Sequence, residues 1–431
     1  MKTFEFPVGY HRLHRTKIID FQLNRWISLG YTRLEDMRDA AAKIDDLPDW
    51  KDEMVRQAEK ALAEGRLMNA TFSYRAAEFF THPSDPDKLK LYETFLDLFY
   101  NQLFADEPIE RHQVPYAGTV LPALRLPSAG ELERGTLVMH GGFDSFIEEF
   151  YSMATFFAAH GYEVIMFDGP GQGGALKHSH LPMDLAWEKP TAAVLDSFDC
   201  DDVTLLGLSM GGWLCFRAAA FEPRIERVIA SSIAFDYMQI PPKPVADFAR
   251  WLMNYPKLMN TMSGWKMQMM PQEKWGIDNL MYMTHADTPF DASKKLIEFN
   301  EANQHPDRVT QDVLILTGEA DHFIPAKMHP LQVAALRNAR SMTERIFTEA
   351  EQAHNHCQVG NVGLALDVMV TWMDEKVPAP AAPVPLPGAE LYPPPLKNNH
   401  RARPHLARWS LQTHNSRRVQ VGFGQASASY R

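Results

Sequence analysis

The sequence contains very little cysteine. Only Cys200, Cys215 and Cys357 occur among its 431 residues, and no spacing repeats among them. An odd, scattered set of this kind predicts neither a disulfide framework nor a zinc site. Because free thiols persist in reducing compartments, the composition favours a cytoplasmic location.

Long apolar runs are also missing. No stretch approaches the roughly 18 consecutive apolar residues of a membrane span, and the N-terminus, MKTFEFPVGYHRLHRTK, lacks the apolar core of a secretory signal. Basic residues are outnumbered, with 43 Lys and Arg against 54 Asp and Glu and a net charge of −11. Since phosphate binding needs a basic surface, we do not expect a nucleic acid as partner, and the lack of long apolar runs argues against a membrane.

The character of the sequence changes along its length. Up to residue 112, apolar residues recur at three- and four-residue spacing, as in segments 50–67 and 88–104, which predicts helices. From residue 113, short β-rich runs alternate with helical stretches, the pattern of a parallel sheet with crossover helices. The chain is therefore divided into a helical N-terminal region (1–112), a first core part (113–235), a helical lid insertion (236–305), a second core part (306–376) and a proline-rich, basic tail (377–431) expected to be disordered.

Six runs are predicted to be strands of this sheet. Their nearly continuous apolar character fits strands that are buried on both faces. In chain order they are residues 135–140 (GTLVMH), 163–168 (EVIMFD), 203–208 (VTLLGL), 227–233, 313–317 (VLILT) and 345–348.

The insertion at 236–305 is rich in methionine and aromatic residues. Methionine adapts its shape to irregular apolar ligands, which predicts a lid with Trp251 and Tyr255 as candidate substrate contacts. The same residues would equally form the core of a small helical subdomain. Asp236, at the start of the insertion, either binds substrate hydroxyls, assists proton transfer or caps a helix of the lid.

Ser209 is the candidate nucleophile. It lies in GLSMGG (207–212), between the predicted strand VTLLGL and a small-residue helix. G-x-S-x-G in this context is the nucleophile elbow of the α/β-hydrolase fold, in which a strained turn presents the serine at the carboxyl end of the sheet. We therefore expect an α/β-hydrolase fold with a mostly parallel central sheet and a serine hydrolase activity that needs no metal or cofactor.

A serine hydroxyl needs a general base, and the base needs an acid that orients it. In this fold the order along the chain is Ser, then Asp or Glu, then His. Asp321, in GEADHFIP after strand VLILT, is favoured over Glu319 because it lies deeper in the loop. His354 and His356 both follow the last strand, and spacing does not choose between them.

The oxyanion hole is expected from the main-chain amide of Met210 and from an amide in the turn after strand GTLVMH. Phe143 is favoured for the second amide, with Gly142 as the alternative. His140 is expected to hold this turn rather than to catalyse. GPGQGG (169–174) fits the spacing of a phosphate-binding loop, but ALKHSHLP is a poor opening for the helix that such a loop requires, so a tight turn is expected there.

Several motifs together resemble one family. HGGFDS, FDGPGQGGAL, DLAWEKP, LLGLSMGG, GEADHFIP and HCQVGN look like the fungal polyketide-shortening α/β-hydrolases, typified by the yellowish-green conidial pigment hydrolase and related to the bacterial dihydroxypseudooxynicotine hydrolase. The resemblance covers roughly residues 10–375. It implies that His356, in HCQ-x-GN, is the base, with Ser209 and Asp321 as its partners. The tail departs from the family pattern.

The resemblance also implies a reaction, namely cleavage of a carbon–carbon bond beside a ketone in a polyketide or similar β-diketone, in secondary metabolism or pigment biosynthesis. The alternative is an ester, lactone or thioester hydrolase or an acyltransferase that uses the same residues. A binding protein that has kept the fold without catalysis is a third hypothesis, which the presence of all three residues in order argues against. The helical N-terminal region either pairs two subunits in a homodimer or only caps the active site.

Overall fold

The computed structural model describes residues 1–129 and 133–377. Residues 378–431, nearly all of the tail expected to be disordered, lie outside this range. In the part of the chain that is described, no helix is long and apolar enough to cross a membrane. The same residues contain no group of three or more His, Cys, Asp or Glu side chains that could hold a metal ion.

Helices occupy most of the first hundred residues. They are α1 (Lys17–Ser28), α2 (Leu34–Ala41), α3 (Leu47–Ala63), α4 (Leu67–Phe80) and α5 (Asp87–Asp97), which continues as a π-helical segment over Leu98–Leu103. Helix α3 starts at a capping box formed by Asp46 and Asp49. The predicted segment 50–67 covers most of α3 but only the first residue of α4, because α3 ends before Gly65, which has a φ of 71°.

Within the described residues, eight strands form one sheet in the order β1-β2-β4-β3-β5-β6-β7-β8. They are β1 (Glu110–Tyr116), β2 (Thr119–Leu126), β3 (Gly135–His140), β4 (Tyr162–Phe167), β5 (Val203–Leu208), β6 (Ile225–Ser231), β7 (Asp312–Gly318) and β8 (Ser341–Phe347). Strands β3 to β8 pair in parallel, whereas β2 pairs antiparallel with both β1 and β4. The mostly parallel sheet that the sequence predicts is confirmed.

The hairpin of β1 and β2 escaped the sequence analysis. Most of β1 faces solvent, so it lacks the apolar alternation that identifies a strand. Its turn is formed by Ala117 at φ 48° and Gly118 at φ 79°, and Ala-Gly is not one of the dipeptides that usually mark such turns. The sheet therefore begins at Glu110, slightly before the expected change at residue 113.

Helices alternate with the strands after β3. In chain order they are α6 (Tyr151–Ala159), α7 (Gly173–Lys177), α8 (Glu188–Phe198), α9 (Met210–Ala219), α10 (Lys243–Leu252), α11 (Pro256–Met269), α12 (Pro271–Thr284), α13 (Pro289–Ile297), α14 (Glu301–Gln304), α15 (Met328–Ala335) and α16 (Val362–Lys376). The segment between β6 and β7, which contains α10 to α14, is called the lid below. Its exposed apolar side chains include Trp265 and Met269.

The two faces of the sheet contribute to separate apolar cores. Leu206 and Leu208 of β5 pack in one core with residues of α1, α4, α6 and α16, whereas Leu205 packs in the other with residues of α8 and α9. This alternation follows from the two-residue period of a strand. The N-terminal helices therefore share a core with the sheet, and α1 is brought to the edge of the sheet where Ser209 lies.

The glycine-rich segment after β4 is a tight turn, but the expectation that no helix follows it was wrong. Helix α7 begins at Gly173. The amides of the turn are used inside the protein, since Gly171 N donates to Leu181 O over 2.8 Å and Gly174 N donates to the Asp168 carboxylate over 2.8 Å. A short helix forms here because glycines allow the sharp entry, with Gly171 at φ 83°.

Candidate active site

Ser209 occupies the sharp turn between β5 and α9. Its backbone is at φ 61° and ψ −124°, a strained conformation for a residue with a side chain. Two glycines make the turn possible. A Cβ on Gly207 would lie 2.0 Å from the carbonyl oxygen of Gly211, and a Cβ on Gly211 would lie 2.6 Å from that of Gly141. The packing of the elbow therefore explains why glycine stands at both positions.

His356, and not His354, contacts the serine. His356 Nε2 lies 2.8 Å from Ser209 Oγ, and His356 Nδ1 lies 2.7 Å from Asp321 Oδ2. Because an ionised carboxylate only accepts hydrogen bonds, Nδ1 carries the proton and Nε2 is free to accept one from the serine hydroxyl. His354 Nε2 instead lies 3.3 Å from the side-chain amide of Asn355.

Asp321 is held in place by its own loop. Its Oδ1 accepts hydrogen bonds from the amides of Phe323 at 2.9 Å and Ile324 at 2.8 Å, which leaves Oδ2 for His356. The rival acid, Glu319, is exposed and accepts a hydrogen bond from the amide of Glu349 at 2.7 Å. The loop thus presents Asp321 to the histidine and directs Glu319 away from it.

In both His356 and Asp321, burial and the neighbouring charge shift the pKa in opposite directions. Burial alone would lower the pKa of His356, but the adjacent charge of Asp321 raises that pKa above its usual value. Burial likewise tends to raise the pKa of Asp321, whereas the charge of His356 and the loop amides lower it. The arrangement therefore stabilises an imidazolium beside a carboxylate, which is the charge state that forms when a histidine takes a proton from serine.

Two amides near Ser209 are the candidates for an oxyanion hole. Met210 is the first residue of α9, so its amide has no acceptor within the helix. A Cβ on Gly142 would lie 2.7 Å from this nitrogen, which shows how closely the turn after β3 approaches it. The amide of Gly142 already donates to Ser145 Oγ over 3.2 Å. Among the residues that the structure describes, the Phe143 amide has no such acceptor, which favours Phe143 as the second donor.

His140 supports the same turn. It is fully buried, its Nδ1 lies 3.0 Å from the carbonyl oxygen of Gly141, and its ring packs against Phe167 and Trp187. Burial lowers the pKa of His140 to about 4, so the ring is neutral. These contacts fit the structural role expected for it.

A cavity of about 340 Å³ lies over Ser209 and His356. This volume falls at the lower end of the range of about 300–1,000 Å³ that is usual for ligand sites. The wall is mostly apolar and combines residues of α1, the turn after β3, the lid and α16. It includes Phe21, Leu29, Phe143, Phe150, Met153, Tyr237, Ile240, Trp275, Leu280, Phe323, Val362 and Met369.

The three lid residues singled out from the sequence do not line this cavity. Trp251 and Tyr255 are each 48% exposed, and they pack against each other on α10 and just beyond it. The carboxylate of Asp236 accepts a hydrogen bond from the amide of Met238 at 2.8 Å, so it caps the short helical turn that opens the lid. Their proposed substrate contacts therefore have no support from the positions of these side chains.

Sequence reasoning missed several polar groups in the wall. Gln22 and Arg25 come from α1, far away in the chain, and no local pattern connects them with Ser209. Gln358 also lines the cavity and lies two residues after His356. Its place in HCQVGN was the available signal, because a polar side chain beside a base is a candidate for contact with substrate.

Comparison with known proteins assigns the chain to a family. The model of the alpha/beta hydrolase family matches residues 137–359, slightly more than half of the chain. The chain belongs to the alpha/beta hydrolase family. Membership of this family supports the expectation that the protein is an enzyme. The α/β-hydrolase fold expected from the sequence is confirmed.

This α/β-hydrolase is similar to several fungal and bacterial proteins. It is 28% identical over 414 residues to Hydrolase LUC6 of Fusarium sp, a match that spans 85% of this chain and 98% of the relative. It is 27% identical over 309 residues to the 20-hydroxy-prefusarin hydrolase of Gibberella moniliformis, spanning 64% of this chain and 73% of that protein. The expected resemblance to fungal α/β-hydrolases is thereby confirmed.

A solved structure also shares the fold of this α/β-hydrolase. The crystal structure of the 2,6-dihydroxy-pseudo-oxynicotine hydrolase superimposes with a TM-score of 0.60 at 22% sequence identity. The match covers 83% of this chain and 96% of the other.

Proposed function

We propose that this protein is a serine hydrolase that cleaves a carbon–carbon bond next to a ketone in a polyketide or similar β-diketone. The observation that carries the proposal is the chain of hydrogen bonds from Ser209 through His356 to Asp321, with distances of 2.8 and 2.7 Å, at the wall of an apolar cavity. In this proposal the three residues act as nucleophile, general base and orienting acid.

The first step is attack by Ser209 Oγ on a carbonyl carbon of the substrate. His356 Nε2 takes the hydroxyl proton, and Asp321 stabilises the imidazolium that results. Negative charge develops on the former carbonyl oxygen, which the amides of Met210 and Phe143 would stabilise. The imidazolium then protonates the leaving carbon, and water releases the acyl group from Ser209 in a second half-reaction.

The shape of the cavity supports a compact, largely apolar substrate. Aromatic side chains line it, including Phe21, Phe143, Trp275 and Phe323, and these favour contact with planar rings. Two proteins similar to this chain are named as a 20-hydroxy-prefusarin hydrolase and a 2,6-dihydropseudooxynicotine hydrolase. The aromatic wall and the names of these relatives both support a ketone-bearing substrate of aromatic or polyketide type.

Hydrolysis of an ester, lactone or thioester, or acyl transfer, would use the same three residues. The two reactions differ in the leaving group, which is an oxygen or sulfur anion in one case and a carbanion stabilised by a neighbouring carbonyl in the other. The discriminating measurement therefore compares two substrates that share one acyl group, an aryl β-diketone and the corresponding p-nitrophenyl ester. Products are identified by mass spectrometry.

The proposal expects the diketone to give a carboxylic acid and a methyl ketone, with a kcat/KM at least equal to that of the ester. Rapid turnover of the ester without any cleavage of the diketone would rule out carbon–carbon cleavage and leave ester-type hydrolysis as the function. Ser209→Ala protein is the control for background reaction of both substrates.

A further inference from the structure

Gln358 is a fully buried polar residue in the wall of the cavity. Its side-chain oxygen accepts a hydrogen bond from Ser231 Oγ at 2.8 Å. Its side-chain nitrogen, Nε2, is buried and has no hydrogen-bond partner in the described part of the chain. Leaving a buried donor unpaired destabilises the protein, so a free amide at the wall of a cavity points to a ligand that pairs with it.

Ser231 connects this amide to the nucleophile. It ends strand β6, next to Leu208 of β5, and its carbonyl oxygen accepts the amide hydrogen of Ser209 over 2.8 Å. The Ser231 hydroxyl engages Gln358 Oε1 and thereby leaves Nε2 as the free end of the amide. A single residue thus contacts the backbone of Ser209 and orients the side chain of Gln358.

The backbone around Gln358 is strained in the way that functional sites often are. Cys357 and Gln358 adopt φ values of 48° and 55°, in the left-handed region that non-glycine residues rarely occupy. The conformation is held by a bond from the Cys357 amide to Ser232 Oγ at 2.8 Å and one from the Gln358 amide to Asn355 O at 3.1 Å. This turn puts His356 and Gln358 on the wall of the same cavity.

Carbon–carbon cleavage requires a second site for negative charge. When the bond between the attacked carbon and the leaving carbon breaks, its electron pair forms the double bond of an enolate, and the charge moves to the oxygen of the second carbonyl. The amides of Met210 and Phe143 hold the first oxygen. An ester has no second carbonyl of this kind. The negative charge stays on its leaving oxygen, which can take the proton of His356 directly.

We propose that Gln358 Nε2 donates a hydrogen bond to the second carbonyl oxygen of a β-dicarbonyl substrate and stabilises the enolate as the carbon–carbon bond breaks. This assignment rests on the proposed function. Gln22 is the other buried glutamine of the wall, but its buried unpaired atom is the acceptor Oε1, whereas in Gln358 it is the donor Nε2. The proton that completes the leaving ketone comes from the imidazolium of His356, so charge and atoms balance without another reactant.

The test compares two variants on the matched diketone and ester. Gln358→Met removes the amide at similar size, and Gln358→Glu keeps the shape but replaces the donor by a carboxylate. For both variants we expect kcat/KM for the diketone to fall by about 10²–10³, the effect of removing one oxyanion donor, while kcat/KM for the ester falls by less than about tenfold. Gln332→Met is the matched control, since Gln332 is a fully buried glutamine on α15 outside the cavity wall.

An equal loss on both substrates would overturn the assignment, because a role in folding or in general positioning does not distinguish the leaving groups. Retention of diketone cleavage in both variants would overturn it as well. Failure of the wild-type protein to cleave the diketone is a different result, which refutes the proposed function together with this assignment. Thermal midpoints of all variants show whether each remains folded.

Discussion

Arg75, on helix α4, donates a hydrogen bond from Nη2 to the main-chain oxygen of Asp144 over 2.9 Å. Asp144 follows Phe143, whose amide is the favoured second donor for the oxyanion. The Arg75 side chain is fully buried and also pairs with Glu78 and Glu149. The N-terminal helical region is thus bonded directly to the turn that contains Phe143.

Replacing Arg75 with Met is expected to destabilise the protein strongly. The substitution removes one partner from a buried network of charges and leaves carboxylates with fewer partners, which typically costs about 3–5 kcal/mol. Denaturant unfolding measures the change. Arg15→Gln is the control, because Arg15 pairs with Asp45 in an exposed position and should leave the midpoint nearly unchanged. Similar midpoints for both variants would show that the Arg75 network does not anchor the turn.

The pH profile of kcat/KM should reflect the environment of His356. The base works in its neutral form, so activity rises with pH through the pKa of the free enzyme. Because Asp321 raises the pKa of His356, the rising limb is expected above the usual value of about 6.5. In Asp321→Asn the opposing effect of burial remains, so the limb should move to lower pH while the rate falls by about 10⁴. An unshifted limb in this variant would contradict the assigned pair.

Glycine at position 142 is expected to be essential for catalysis. A Cβ there would lie 2.7 Å from the amide nitrogen of Met210, so Gly142→Ala would displace the turn or cover that donor. We expect kcat to fall by about 10² or more. Gly264→Ala is the control, since a Cβ at Gly264 meets nothing within 4 Å and alanine favours the helix α11. Normal kcat in Gly142→Ala would exclude an oxyanion site at Met210.

Two tryptophans of the lid should differ sharply in their effect on substrate binding. Trp275 lines the cavity and packs against Phe79, Phe80 and Phe143, whereas Trp251 is half exposed and lies outside it. Trp275→Ala should raise KM for an aromatic substrate severalfold or more, and Trp251→Ala should leave KM unchanged. The reverse pattern would mean that the lid adopts another arrangement when substrate binds.

The elements that could be predicted from the sequence are those determined by residues that are adjacent in the chain. The turn at Ser209 was identifiable because the strand, the glycines and the helix follow one another directly. The pairing of Asp321 with His356 was less accessible, since spacing allowed two histidines and only the resemblance to a family favoured one. The helical lid was identifiable as a segment, but which aromatic faces the cavity depends on how each helix is rotated, so Trp251 was chosen where Trp275 lines the wall.

The contributions of α1 and α4 could not be predicted because they depend on long-range packing. Gln22 and Arg25 reach the cavity, and Arg75 reaches Asp144, only because the N-terminal helices share a core with the sheet. The amphipathic pattern of these helices indicates that they bury one face but does not indicate against what. The β1–β2 hairpin was missed for the opposite reason, since an exposed strand has no apolar signal.

The central claim, that Ser209 is a nucleophile activated by His356, is tested most directly by covalent labelling. Diisopropyl fluorophosphate is small enough for the cavity and reacts with activated serines. Intact-mass measurement and peptide mapping should show one label per chain, on Ser209, with no label in Ser209→Ala, little in His356→Gln and normal labelling in His354→Gln. A wild-type protein that stays unlabelled, or a label that persists in Ser209→Ala, would contradict the account.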